Sequence, residues 1–227
     1  SLRELLKERG PMPPHAAIAV MRPVLNALSI AHAKGMIHRD IKPDNVLISD
    51  QHQVKLADFG LVRAINNAMS DATNATTSVN GQVIGTVGYL SPEQVRGEHL
   101  TQASDVYSAG ILLFELLTGR TPFKGGTSIE TAMARINRPV PAPSTLMPSI
   151  PPEVDELVLR ACHRDPSQRF CDGAEFLRAV EHTAEYLDIP DFEVPAPTHS
   201  AVRTALAGTD FGERTPWDLS LIHISEP

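Results

Sequence analysis

From about Ser104 to Leu117 the chain is apolar on nearly every helical face: Val106, Ala109, Ile111, Leu112, Leu113, Phe114, Leu116 and Leu117 leave no side for water. A helix of this kind has to be enclosed by other elements, so the fold must build a jacket around it. Its most apolar part, Ala109 to Leu117, is about half the roughly 20 residues a membrane span needs, and it contains Glu115. It therefore reads as the buried centre of a globular domain, ended by Gly119.

Candidates for the jacket lie on both sides. Ser1 with Glu4 has capping-box spacing for a short first helix, which Gly10-Pro11 ends. Ala17, Met21, Val24, Leu28 and Ala31 recur at three- and four-residue steps and predict a helix from about Pro14 to Lys34, with a bend at Pro23 and Gly35 as the C-cap. Val46 to Ile48 and Val54 to Leu56 read as two strands joined by a polar turn. Further helices are expected at about Ser128 to Asn137, Pro152 to Cys162 and Asp172 to Leu187. The polar stretch from Asn66 to Gln82 is longer than compact domains keep without a purpose. After Leu187 the apolar period stops, and four prolines before Asp218 mark a tail. The last nine residues, 219–227, resemble the translated end of a sequencing-library adapter and are set apart from the fold. The expected class is mainly α with small β-hairpins, organised as a folded unit at 1–187, a disordered tail at 188–218 and the adapter-like end.

Twenty-seven acidic against twenty basic side chains, a net charge of −7, argue against a chain that coats nucleic acid or an anionic membrane. Cys162 and Cys171 are too few for a disulfide framework and suit a reducing compartment. With His163 between them they match no zinc spacing. His15, His32 and His52 have no partners at motif spacing. The first residue is not Met and no signal-peptide pattern follows, so the chain reads as cut at its start.

Chemistry concentrates in His38-Arg-Asp-Ile-Lys-Pro-Asp-Asn45, followed eighteen residues after Asp40 by Asp58-Phe-Gly60. On these residues the chain resembles the eukaryotic-like serine/threonine protein kinases, matching their H-R-D-x-K-x-x-N catalytic loop and D-F-G metal motif in order and spacing. Transfer of a γ-phosphoryl group makes little covalent demand on protein, so a kinase needs positioning and charge neutralisation. The resemblance implies that Asp40 handles the proton of the attacking hydroxyl, Lys42 faces the γ-phosphate, and Asn45 and Asp58 offer hard oxygens to Mg²⁺, with Mn²⁺ as a substitute. Lys42, Asp44, Asn45, Leu47 and Asp58 make up the implied ATP-binding set, with Leu47 as part of the adenine floor. Gly60 allows the turn after the metal ligand, and His38 and Phe59 are implied structural members of the core. Lysine two residues after the aspartate, then Pro43, is the serine/threonine form of the loop, so the implied partners are proteins offering Ser or Thr hydroxyls.

Gly85-Thr-Val-Gly-Tyr-Leu-Ser-Pro-Glu93 resembles the end of a kinase activation segment, with Ser91 where most members have Ala. By that resemblance Thr86 bridges Asp40 and Lys42, and Glu93 pairs with Arg169. Asp105 matches the buried carboxylate that holds the catalytic-loop backbone, a role compatible with an ordinary helix N-cap. Arg39 before Asp40 implies an activation segment that is phosphorylated, with Thr76, Thr77 and Ser78 as candidates. A solvated loop with no modification is the plainer account of those hydroxyls.

The resemblance covers about 1–187, a carboxy-terminal lobe whose amino-terminal lobe is absent, so the chain by itself is expected to be inactive. Its texture looks like the actinobacterial PASTA-type kinases, which implies a cytoplasmic enzyme, a juxtamembrane tail, an anchor in the cell membrane beyond the break, and autophosphorylation in a kinase homodimer, with the helix at 128–137 as a contact. The competing class is a pseudokinase or phospho-regulated docking module.

Overall fold

The computed structural model describes residues 1–59 and 86–198. In chain order these form α1 (Leu2–Arg9), α2 (Pro14–Ala33), β1 (Val46–Ile48), β2 (Val54–Leu56), α3 (Pro92–Arg96), α4 (Gln102–Thr118), α5 (Ser128–Asn137), α6 (Pro152–Ala161) and α7 (Gly173–Tyr186). Single 3-10 turns lie at Pro43–Asn45, Thr86–Tyr89, Pro143–Thr145 and Pro166–Gln168. The architecture is mainly helical, and the described residues hold one two-stranded antiparallel sheet, in which Leu47 faces Lys55.

Helix α4 is the axis, buried at every residue from Ala103 to Leu117. Helices α2, α6 and α7 pack on it, α7 also packs on α2 and α6, and one continuous apolar core runs through all four. Helix α2 is long and apolar enough to cross a membrane by length and composition, a test that core helices also pass. Here Ala17, Val20, Met21, Val24 and Leu28 are buried in the core, and α2 packs mainly against α7. The close approach of α7 is set by Gly173. A Cβ there would sit 2.8 Å from both Leu28 Cβ and the backbone nitrogen of Ser29.

Helix α4 begins at Gln102, two residues before the sequence expectation, because Thr101 takes the N-cap and its N–H donates to Ser104 Oγ at 3.2 Å. Asp105 is therefore not an N-cap: it lies inside the first turn, with its carboxylate free for other work. Helix α2 continues past Pro23. Pro23 and Ala19, whose carbonyl loses its donor, lie on the half-exposed face, where water can replace the bond.

Residues 188–198, assigned to the tail from sequence, pack against the lobe as an extended segment. Phe192 and Val194 are buried, Asp191 pairs with Arg22 at 3.0 Å, and Thr198 donates to Glu8 through its N–H and its hydroxyl. Prolines hide this packing from a periodicity test, because an extended segment can bury isolated side chains without any helical repeat.

Candidate active site

The loop between α2 and β1 carries His38 to Asn45, and its backbone is fastened from below by α4. Asp105 Oδ2 accepts from the His38 N–H at 2.7 Å, and Oδ1 accepts from the Arg39 N–H at 2.8 Å. His32 Nε2 lies 3.0 Å from the same Oδ2. The Gly173 N–H donates to His32 Nδ1, so the ring is neutral and carries its proton on Nε2, which donates to Asp105. These contacts hold Arg39 at φ 73, a left-handed conformation that few residues other than glycine adopt.

Asp40 is the meeting point of the loop. Lys42 Nζ donates to its Oδ2 at 2.7 Å, and Asn45 Nδ2 donates to its carbonyl oxygen at 2.7 Å and to Oδ2 at 2.9 Å. Strand β2 brings the second motif alongside: the Ala57 N–H donates to Asn45 O at 2.8 Å, and His38 Nε2 donates to Ala57 O at 2.9 Å. The His38 and Phe59 rings meet edge to face with centroids 4.5 Å apart. Asp58, between Ala57 and Phe59, is exposed and held at φ 63, the second left-handed residue of the site.

Oxygen chemistry suits a hard cation. Both amide hydrogens of Asn45 are used on Asp40, so among the described residues its Oδ1 is left to bind a cation, and the exposed Asp58 adds a carboxylate. Among the described residues no three His, Cys, Asp or Glu side chains are grouped to hold a metal by themselves. An ion such as Mg²⁺ takes one or two protein oxygens and fills its shell with phosphate and water, so Asn45 and Asp58 would be enough to hold it.

Residues 86–96 open the second described segment. Glu93, buried on α3, receives Arg169 bidentately, at 2.7 Å on Oε1 and 3.0 Å on Oε2. Arg169 also donates to the carbonyls of Ala103, His163 and Arg164 and covers the Tyr107 ring. Burial alone would raise the Glu93 carboxyl, but the hydrogen bonds and charge of Arg169 outweigh it and hold it below the usual carboxylate range. Arg135 of α5 is fully buried and donates to the carbonyls of Val87 and Gly88, a prop beneath the 86–89 turn. Tyr89 hydrogen-bonds Glu115 and Arg3, and Arg3 reaches Glu115 at 2.7 Å and Asp44 at 3.2 Å. Burial, with the Glu115 charge beside it, pushes the Tyr89 phenol well above its usual range.

The structure thus brings together His38, Arg39, Asp40, Lys42, Asp44, Asn45, Asp58, Phe59 and Asp105 around one loop, with Glu93 and Arg169 behind it. Leu47 is exposed on β1. Gly60, Thr76, Thr77, Ser78 and the Thr86 side chain lie outside the described residues. Sequence reasoning missed His32, Arg135 and the Arg3, Tyr89 and Glu115 cluster. Glu115 carried a signal, since a carboxylate inside an all-apolar helix needs a partner. Arg135 carried none, because a last-turn arginine on an amphipathic helix looks solvent-facing. Cys162 is buried and its thiol is pushed up to about 12, so it serves as an apolar packing group.

Comparison with known proteins places this geometry. The protein kinase domain profile matches residues 1–183. The serine/threonine-protein kinase PknL of Mycobacterium tuberculosis is 50% identical over 207 residues, which cover 91% of this chain and 50% of that protein. PrkC of Bacillus subtilis, also a serine/threonine-protein kinase, is 38% identical over 184 residues, 81% of this chain and 27% of its own length. The chain therefore spans about half or less of these curated relatives. Among solved structures, Rad53 residues 1–466 in complex with AMP-PNP superposes with a TM-score of 0.62 at 27% identity, covering 78% of this chain and 43% of that one.

Proposed function

Because this chain belongs to the protein kinase domain family, we propose that the protein containing it is a serine/threonine kinase that moves the γ-phosphoryl group of ATP to protein hydroxyls. The observation that carries the proposal is the fixed constellation of Asp40, Lys42 and Asn45 with Asp58 tied alongside by Ala57. In this reading an acceptor hydroxyl lies against Asp40, which orients it and takes its proton as the oxygen bonds to the γ-phosphorus and the bond to the β-phosphate oxygen breaks, releasing ADP. Lys42 holds Asp40 and offers charge to the phosphoryl oxygens. Asn45 Oδ1 and Asp58 are the candidate Mg²⁺ donors, and a bound Mg²⁺ supplies neutralisation of phosphate charge. Leu47 and Asp44 complete the proposed nucleotide side of the lobe, and Thr86 the acceptor side.

The completeness of the acidic, amide and ammonium set favours catalysis over a docking role, since a partner-binding module has no chemical need for it. We further place the enzyme's work on cytoplasmic proteins, with Arg39 answering a phosphorylated Thr76, Thr77 or Ser78. For a kinase homodimer, Ile129 (76% exposed) and Met133 (48%) offer an apolar strip on α5.

The test is phosphate transfer from labelled ATP to a generic protein substrate by the full-length protein. Asp40→Asn should lower the rate about 10²- to 10⁴-fold, the range for loss of a general base. Residues 1–187 alone should transfer nothing. Undiminished transfer by Asp40→Asn would refute the assignment.

A further inference from the structure

Gln94 lies outside the constellation above, yet its side chain joins α3 to the catalytic loop. Its Oε1 accepts from the Ser91 N–H at 2.8 Å, and its backbone N–H donates to Ser91 Oγ at 3.3 Å, a reciprocal cap on α3. The other end of the same amide is not spent on the helix. Nε2 donates at 2.8 Å to the carbonyl oxygen of Arg39.

That carbonyl belongs to the peptide unit whose N–H is Asp40's. A peptide is planar, so fixing the carbonyl direction fixes the N–H and with it the start of the Asp40 residue. Among the described residues the unit has little else to orient it: the Asp40 N–H reaches His38 Nδ1, at 3.3 Å. On its other side Arg39 is held at φ 73 by Asp105. Gln94 is itself well anchored, because its neighbour Glu93 is locked by Arg169. We propose that Gln94 is a positioning residue for Asp40, coupling the segment that carries the acceptor turn to the peptide plane before the proposed base. This rests on the kinase reading above.

Gln94→Glu isolates the effect. Glutamate keeps the oxygen that caps Ser91 and is favourable near a helix N-terminus, but it sets a carboxylate oxygen against the Arg39 carbonyl. Gln94→Met keeps the length and removes both polar ends. In the full-length protein both variants should lose about tenfold in kcat, as small misplacements of reacting groups do, with KM for ATP changed by less than about twofold. Gln94→Glu should melt within about 2 °C of the parent, so rate and stability separate. An active parent whose kcat is unmoved by either variant overturns the inference alone. So does a fall in rate that appears only with an equal loss of melting temperature in both. A parent inactive with Gln94 in place overturns the kinase reading, and the inference with it.

Discussion

Asp105 accepts from three N–H groups, two on the catalytic-loop backbone and one on His32, and it is 1% exposed. An acceptor-only group is what this geometry needs, because every neighbour aimed at it is a donor. Asp105→Asn must turn an NH₂ group toward at least one of those donors. Leaving a buried donor unpaired and losing charge-assisted bonds should destabilise the lobe by about 2–4 kcal/mol, read from urea unfolding midpoints. A change under about 0.5 kcal/mol would show that the carboxylate is not needed as an acceptor, the spread expected of an inconsequential substitution. His32 shares the same fate, since its neutral ring is pinned between Asp105 and the Gly173 N–H.

At the scale of elements, the separation of α4 and α6 is set by Gly110. A Cβ on it would lie 2.6 Å from Cys162 Sγ and 2.8 Å from Ala161 Cβ. Two effects compete in Gly110→Ala. Helix propensity favours alanine by about 1 kcal/mol, whereas overpacking a filled core costs about 1–3 kcal/mol. Cys162 is 3% exposed and cannot swing away, so the second effect should win and the variant should be about 1 kcal/mol less stable. Combining it with Cys162→Ala should recover part of the loss, a positive coupling visible in a double-mutant cycle of thermal melts. Additive effects would mean that the helices simply move apart.

At the scale of the molecule, residues 188–198 strap the lobe across α2, the hairpin turn and α1. Besides the Arg22 and Glu8 pairs, His52 Nδ1 donates to Val194 O at 3.0 Å, and the His15 ring stands edge-on to Phe192 at 5.0 Å. His15 Nε2 is buried with no hydrogen-bond partner among the described residues, and burial lowers the His15 pKa below its ordinary value. A histidine depressed in the folded state contributes stability that is complete above its unfolded pKa of about 6.5 and is lost as pH falls through the folded value. The strap should therefore loosen on acidification below about pH 6.5, seen as faster proteolysis after Leu187. His15→Phe should flatten that response, and an unchanged profile would exclude His15 as its source. Leu47 (47% exposed) and Phe59 (38%) are partly bare apolar side chains.

The sequence by itself determined the local pieces: the enclosed helix, the hairpin at 46–56, and the His38 to Asn45 and Asp58 to Gly60 motifs. Each of these is written in contiguous residues through period, turn chemistry or spacing. Only the tertiary structure decided that His32 and Gln94 serve the loop of residues 38–45, that Arg135 is buried under the 86–89 turn, and that the first part of the tail is packed. Those roles depend on partners 48 to 190 positions away in the chain. A side chain's contacts at that distance follow from how helices stack, and no local pattern of residues encodes them.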